Sequence, residues 1–227
     1  MPAPESQSES MVLSSIGPLI RAALSSTPFA GGVAALWCEW DTSRRFKRVE
    51  STVKELGDEL SRSKTFDPSK LGEAEMQLLE DGLERAAREH REAKRSMFAR
   101  LLATNWVRTE TPFDERLLFH RALDEFDEVH LMLLHILRDA HQKGEELVQS
   151  KDLCARAFGS DADDQAKFGI FVPALNKLAA EYGFVRRKAD SDGRLMLGIN
   201  PDGLVFHVNC LLAPLGRRFI ESLQPHA

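Results

Sequence analysis

Asp127, His130, His135 and Asp139 are the residues whose types and spacing come nearest to a metal site in this chain. On a helix, Asp127 and His130 sit one turn apart, as do His135 and Asp139, so each pair shares a face. No HExxH and no nearby cysteine completes a ligand set, and protein zinc sites draw on three or four such ligands. The expectation is a polar helix face without metal. Arg186, Arg187, Lys188 and Arg194 offer different chemistry: cations close together in sequence suit phosphate or a nucleic-acid groove. Asp190 and Asp192 lie between them and oppose it. The sequence has no glycine-rich phosphate loop, no GxSxG and no GxGxxG, so neither an enzyme nor a bound cofactor is expected.

Composition narrows the partners. The chain has 227 residues and a formal net charge of −5. That length allows one large domain or two small ones. A protein whose whole surface binds nucleic acid is usually basic, so any such contact must be local and salt-sensitive. Cys38, Cys154 and Cys210 are far apart in apolar surroundings, which reads as buried thiols in a reducing, cytoplasmic compartment. Residues 1–10 are polar and proline-rich and read as a disordered tail with no secretory signal.

The elements that must position these residues follow from periodicity. Two short apolar helices are expected over Val12–Leu24 and Gly32–Trp40. Neither reaches the ~20 apolar residues of a spanning helix. They fit either the core or a membrane surface, with Trp37 and Trp40 at the headgroups and Arg44 and Arg45 beyond. Phe46, Val49, Val53, Leu56 and Leu60 form an a/d seam. Asp67 and Pro68 then start a long helix from about Ser69 to Val107, lined by Leu79, Leu83, Ala86, His90, Ala93, Met97 and Leu101. These two helices make a hairpin that fits a monomer or a homodimer equally. Thr111-Pro112 starts a helix, Asp124 or Asp127 caps the next, Val129–His141, and Gly144 ends it.

Ser150 is expected to cap a helix to Phe158. Pro173 is expected to open a new helix, separate from Asp164–Phe171, with Leu175, Leu178 and Tyr182 inward and Gly183 as its stop. Phe184–Lys188 should pair with Leu195–Ile199 across the turn Asp190–Gly193, Asn200–Gly203 is a second turn, and Leu204–Val208 adds a third strand. Pro214 starts the last helix. The fold class is thus mainly α: a helical hairpin or bundle over residues 11–123, then a winged-helix-like domain over 124–227 with a β-hairpin or three-stranded sheet.

Three sequence features carry resemblances. Leu153-Cys-Ala, Ala174-Leu-Asn-Lys-Leu-Ala-Ala-Glu-Tyr-Gly-Phe-Val185 and Ala213-Pro-Leu-Gly-Arg-Arg-Phe219 resemble winged helix-turn-helix domains of bacterial regulators, across residues 125–223. That resemblance implies a third helix in the major groove. Asn176, Lys177, Ala180 and Glu181 would face outward there, and Arg186, Arg187, Lys188 and Arg194 would form the wing. It fits duplex DNA or a protein partner. Glu84–Ala103, with its Glu-Arg-Ala and Arg-Glu-His-Arg-Glu-Ala-Lys-Arg steps, resembles bacterial helical proteins of this same layout and carries no activity with it. Arg85 and His90 have the R-x4-H spacing of HEPN ribonucleases, which act on phosphodiesters across a dimer.

The functional expectation is a non-enzymatic regulator or adaptor. Its helical body would bind a second copy or a partner, and its winged helix would contact DNA or protein. The alternative is a membrane-associated effector of phage-defence or stress type, anchored by Val12–Trp40.

Overall fold

Eight helices and four strands are found among the described residues of the computed structural model, which are 43–63, 72–108, 110–159, 165–189, 193, 196–200 and 203–225. The fold is mainly α with a small antiparallel sheet near the C-terminus. It divides into two compact units, one running to Asp124 and including the last residues from Ser222, the other spanning Glu125–Glu221. The expected tail, both apolar N-terminal helices and the Asp67-Pro68 start lie outside the described residues. No helix among them is long and apolar enough to cross a membrane.

The first unit holds α1 (Ser43–Arg62), α2 (Glu73–Arg88), α3 (Glu92–Val107) and α4 (Phe113–Glu125). The α1 seam is buried as its spacing requires: Val49, Leu56 and Leu60 meet Met76, Leu79, Leu83 and Ala87 of α2 and Ala99, Leu102, Ala103 and Trp106 of α3. Each fully buried leucine contributes roughly 1.5–3 kcal/mol. The seam is therefore filled from within the chain.

The single long helix expected over Ser69–Val107 is two helices. Glu89 is extended (φ −75°, ψ 127°), and so is Arg91 (φ −81°, ψ 120°). The Glu89 carboxylate accepts the Arg91 backbone N–H at 2.8 Å and its guanidinium at 3.1 Å. Arg95 donates to the carbonyls of Glu89 (3.3 Å) and His90 (3.0 Å). These bonds replace those the helix loses at the break. His90 and Ala93, expected on the apolar face, are exposed. Beyond the break, burial is continuous from Leu101 to Trp106, because α3 is covered on several sides. The next helix begins at Phe113, and the Pro112 carbonyl accepts from Glu115 and Arg116. Pro112 thus stands just before the helix, where Thr111, with Pro112 as the first helical residue, is the expected cap.

The second unit runs α5 (Glu128–Gln142), β1 (Val148–Gln149), α6 (Ser150–Phe158), α7 (Gln165–Asn176) with a π turn Lys177–Glu181, β2 (Val185–Ala189), β3 (Met196–Asn200), β4 (Gly203–Leu212) and α8 (Pro214–Ser222). Asp127 is the N-cap of α5, and its N–H is held by His130 Nδ1 at 3.1 Å. Gly144 and Gly183, at φ 83° and 65°, end α5 and the π turn, in a region that favours glycine. The core is aromatic. Phe126 meets Tyr182, Phe184 and Phe219 edge-on with centroids 4.9, 5.8 and 5.7 Å away, and Phe184 stacks on Phe219 at 4.8 Å.

Three local expectations are corrected here. Gln149, still paired with Asn209 in the sheet, is the N-cap of α6, so Ser150 is already helical and its buried hydroxyl caps nothing. Pro173 lies inside α7 rather than opening a helix. It deprives only the Gly169 carbonyl of a helical partner, and Gly169 and Pro173 are both exposed, on the water-facing side. Finally, β2 does not pair with β3. Both pair with β4: Val185↔Leu212 through Ala189↔Val208, then Met196↔His207 through Asn200↔Gly203. The β3–β4 ladder closes at Asn200↔Gly203, on the stretch expected as the second turn.

Candidate nucleic-acid interface

The basic strand sits at a sheet edge, in the order β1-β4-β2. Residues of a strand alternate between faces, and residues opposite one another share a face. Val185, Arg187 and Ala189 therefore share the inner face with buried Val148, Val208 and Cys210, while Arg186 and Lys188 share the outer face with Gln149, Asn209 and Leu211. All three cations are exposed. Arg187 does not project freely, since its guanidinium donates to Asn176 Oδ1 at 2.6 Å. It also stands opposite Cys210, whose thiol burial pushes up to about 12 against the pull of that guanidinium. Cys154 and Cys210 are both free and buried, and Cys38 lies outside the described residues.

The structure thus brings Asn176 of α7 and Arg187 of β2 together. Lys177 is half-buried and bound to Glu125, 3.2 Å from its carboxylate and 3.4 Å from its carbonyl. Arg194, Trp37 and Trp40 lie outside the described residues. Arg44 is in α1, and Arg45 is exposed there.

The other chemical candidates are engaged locally. His130 stacks on Phe126 at 5.1 Å and accepts the Asp127 N–H, and burial lowers its pKa. Asp139 is paired with Arg138 at 2.8 Å, and burial also lowers the pKa of His135. Among the described residues no cluster of three or more acidic, histidine or cysteine side chains is placed to hold a metal. Arg85 is bound by Asp81 (2.8 Å) and Asp124 (2.7 Å), while His90 lies exposed in the break between α2 and α3.

A buried polar network escaped the sequence reading. Arg116 of α4 donates to Glu75 Oε1 of α2 at 2.9 Å and to the Asn105 carbonyl of α3 at 3.2 Å. His120, with no exposed surface, lies 3.0 Å from Asp81 through Nδ1 and 2.9 Å from the Asn105 amide through Nε2. With Asn105 donating to Nε2, the proton sits on Nδ1 and points at Asp81. Burial lowers the His120 pKa, in keeping with a neutral ring. Gly82 makes room for it: a Cβ there would stand 3.1 Å from His120 Cε1 and 2.9 Å from Leu102 Cδ2. No solvent reaches this imidazole, and the network ties α2, α3 and α4 together. The clue in the sequence was Asn105 inside the apolar run Leu101–Trp106, followed by Arg116 and His120 one turn apart.

The network and the α2–α3 break make the first unit acid-sensitive. Burial opposes the charge on Asp81 and Glu89, but His120 and Arg85 hold Asp81 at about 2, and Arg91 and Lys94 hold Glu89 at about 2. Both folded pKa values lie below ordinary carboxylate values. Their stabilisation is complete above about pH 4.5 and drains away as pH falls toward about 2. Urea midpoints measured across that window should decline, and Asp81→Asn should flatten the decline. A flat wild-type profile would contradict the network.

Comparison of the chain with protein-family models, with curated proteins and with solved structures gives no match.

Proposed function

We propose that this protein is a non-enzymatic, cytoplasmic regulator or adaptor whose second unit acts as a winged helix and contacts duplex DNA through Arg186, Arg187 and Lys188. The observation that carries the reading is three consecutive exposed cations on the edge strand of a helix–strand–helix–helix–sheet–helix unit. The order β1-β4-β2, with α6 and α7 between β1 and β2, fits the resemblance to winged helix-turn-helix domains. In that role the first unit is a body for a partner or a second copy.

Generic duplex DNA titrated at low and moderate salt tests it. Binding should weaken steeply with salt. The triple variant Arg186→Ala, Arg187→Ala, Lys188→Ala should lose about tenfold or more in affinity. Absence of binding at low salt sinks the reading.

Protein contact is the second reading. It is favoured by the exposed side of α7, where Ile170 is 54% exposed. In that case Ile170→Asp should abolish partner binding.

A further inference from the structure

We propose that the hinge Glu89–Arg91 opens and that two copies of this chain exchange α1 and α2, so that α1 and α2 of each copy pack on α3 and α4 of the other. The inference is independent of the DNA contact and specifies how the first unit takes a second copy.

The hinge is short and made of helix-forming residues. Only Glu89, His90 and Arg91 join α2 to α3, and from Leu83 to Val107 the sequence holds neither glycine nor proline. Such a segment prefers by itself to continue as one helix. The Glu89 carboxylate holds it folded back: it accepts the Arg91 N–H at 2.8 Å and lies 3.3 Å from Lys94 Nζ. The return is tight. Trp106 Nε1 donates to the Glu75 carbonyl at 3.3 Å, and a Cβ at Gly82 would stand 2.9 Å from Leu102 Cδ2, so α2 and α3 lie antiparallel.

Every contact that closes the unit can be remade between copies. α1 and α2 precede the hinge, while α3 and α4 follow it. Across that division run the α1 seam on Ala99 and Leu102, the Arg116–Glu75 pair and the His120–Asp81 bond. These contacts are indifferent to which copy supplies each side, which is what makes exchange of identical elements a low-cost route to a dimer. The single chain has the advantage of closing on itself at high effective concentration. The dimer has a contact of its own to set against that. His90, Ala93 and Met97 continue the spacing of Leu79, Leu83 and Ala86 along one helix face. In the closed chain His90 and Ala93 are exposed and Met97 is half-buried. Straightening the hinge makes the stripe continuous, and the long helices of two copies meet along it at their hinges, in the manner of a heptad seam.

The full-length chain, refolded from urea at low and at high concentration and then sized by light scattering, tests the exchange. A dimer should accumulate at high concentration and return to monomer slowly, because the first unit must come apart to revert. Glu89→Ala should raise the association constant about tenfold or more, since the bonds it removes exist only in the closed hinge. His90→Pro should lower it about a hundredfold, because proline interrupts a continuous helix. Proline suits the closed form, where Glu89 before it is extended at φ −75° and ψ 127°. Two defective copies separate exchange from ordinary association. Arg116→Glu sets two glutamates together, and Glu75→Arg sets two arginines together. Refolded as a mixture, the exchanged dimer regains one natural pair and one reversed pair. Its urea midpoint should exceed that of either variant alone. Monomer at every concentration, in the natural chain and in Glu89→Ala, would overturn the exchange. A dimer without rescue in the mixture would overturn it too, and leave a contact between closed copies.

Discussion

Gly216→Ala is expected to unfold the second unit under conditions where the natural chain is folded. Gly216 lies in the first turn of α8, where alanine would ordinarily stabilise a helix by about 1 kcal/mol. Here an added Cβ would run into the carbonyl of Phe184, with the Phe184 carbonyl carbon at 2.9 Å and its Cα at 3.0 Å. These are backbone atoms and cannot swing aside. The Phe184 carbonyl also accepts the Ala213 N–H at 2.9 Å, which pins the start of α8 to it. Relief requires α8 to move off, breaking that bond and pulling Phe219 from its stack on Phe184. Overpacking and the lost bond together cost about 3 kcal/mol or more, which outweighs the helical gain. The single tyrosine of the chain, Tyr182, lies in this unit beside Phe184. Its fluorescence during urea unfolding reports the effect, and an unmoved midpoint would refute the clash.

Arg116→Met should destabilise the first unit by about 3–5 kcal/mol, the usual cost of stranding one partner of a buried ion pair. Both partners are nearly out of solvent, with side chains 5% and 9% exposed. Glu75 loses its guanidinium, and the Asn105 carbonyl loses its donor. In the natural chain burial works against the Glu75 charge, but Arg116 and the Gly72 N–H outweigh it and lower the pKa. Without Arg116, burial prevails and the folded pKa rises above the unfolded one. A raised folded pKa stabilises below the unfolded value and ceases to do so as pH rises. The variant's deficit should therefore shrink as pH falls below about 4.5, and adding Glu75→Gln should recover part of it at neutral pH. A deficit independent of pH would mean that lost packing, not the stranded charge, sets the cost.

Some of this was legible in the chain and some was not, for identifiable reasons. The α1 seam was readable because Val49, Val53, Leu56 and Leu60 keep strict spacing against one neighbouring surface. Asp127, Gly144 and Pro214 announced their helix ends through ordinary end chemistry. The α2–α3 break has no proline or glycine to mark it; a glutamate closing on the N–H two residues ahead leaves no local signature. Pro173 signalled an end that did not come, because its missing bond falls on the exposed side of α7. Both turn-like stretches, Asp190–Gly193 and Asn200–Gly203, were legible, but nothing in the composition showed that β2 would pair with β4 rather than β3. The basic strand was visible as charge. Which of its cations faces outward depended on the register with β4, a partner more than twenty residues later for Arg186.

The strand β4 pairs with β1, β2 and β3, and among the described residues none of those three pairs with another. Among the described strands it is also the last to leave the ribosome. Until it arrives, every other strand has only open edges, and β1 must wait through two helices for Cys210 to meet Val148. Closing so long a loop slows folding. Assembly of the sheet is therefore a late event in synthesis, and a nascent chain halted before Gly203 would hold α5, α6 and α7 of this unit but neither α8 nor any of its ladders.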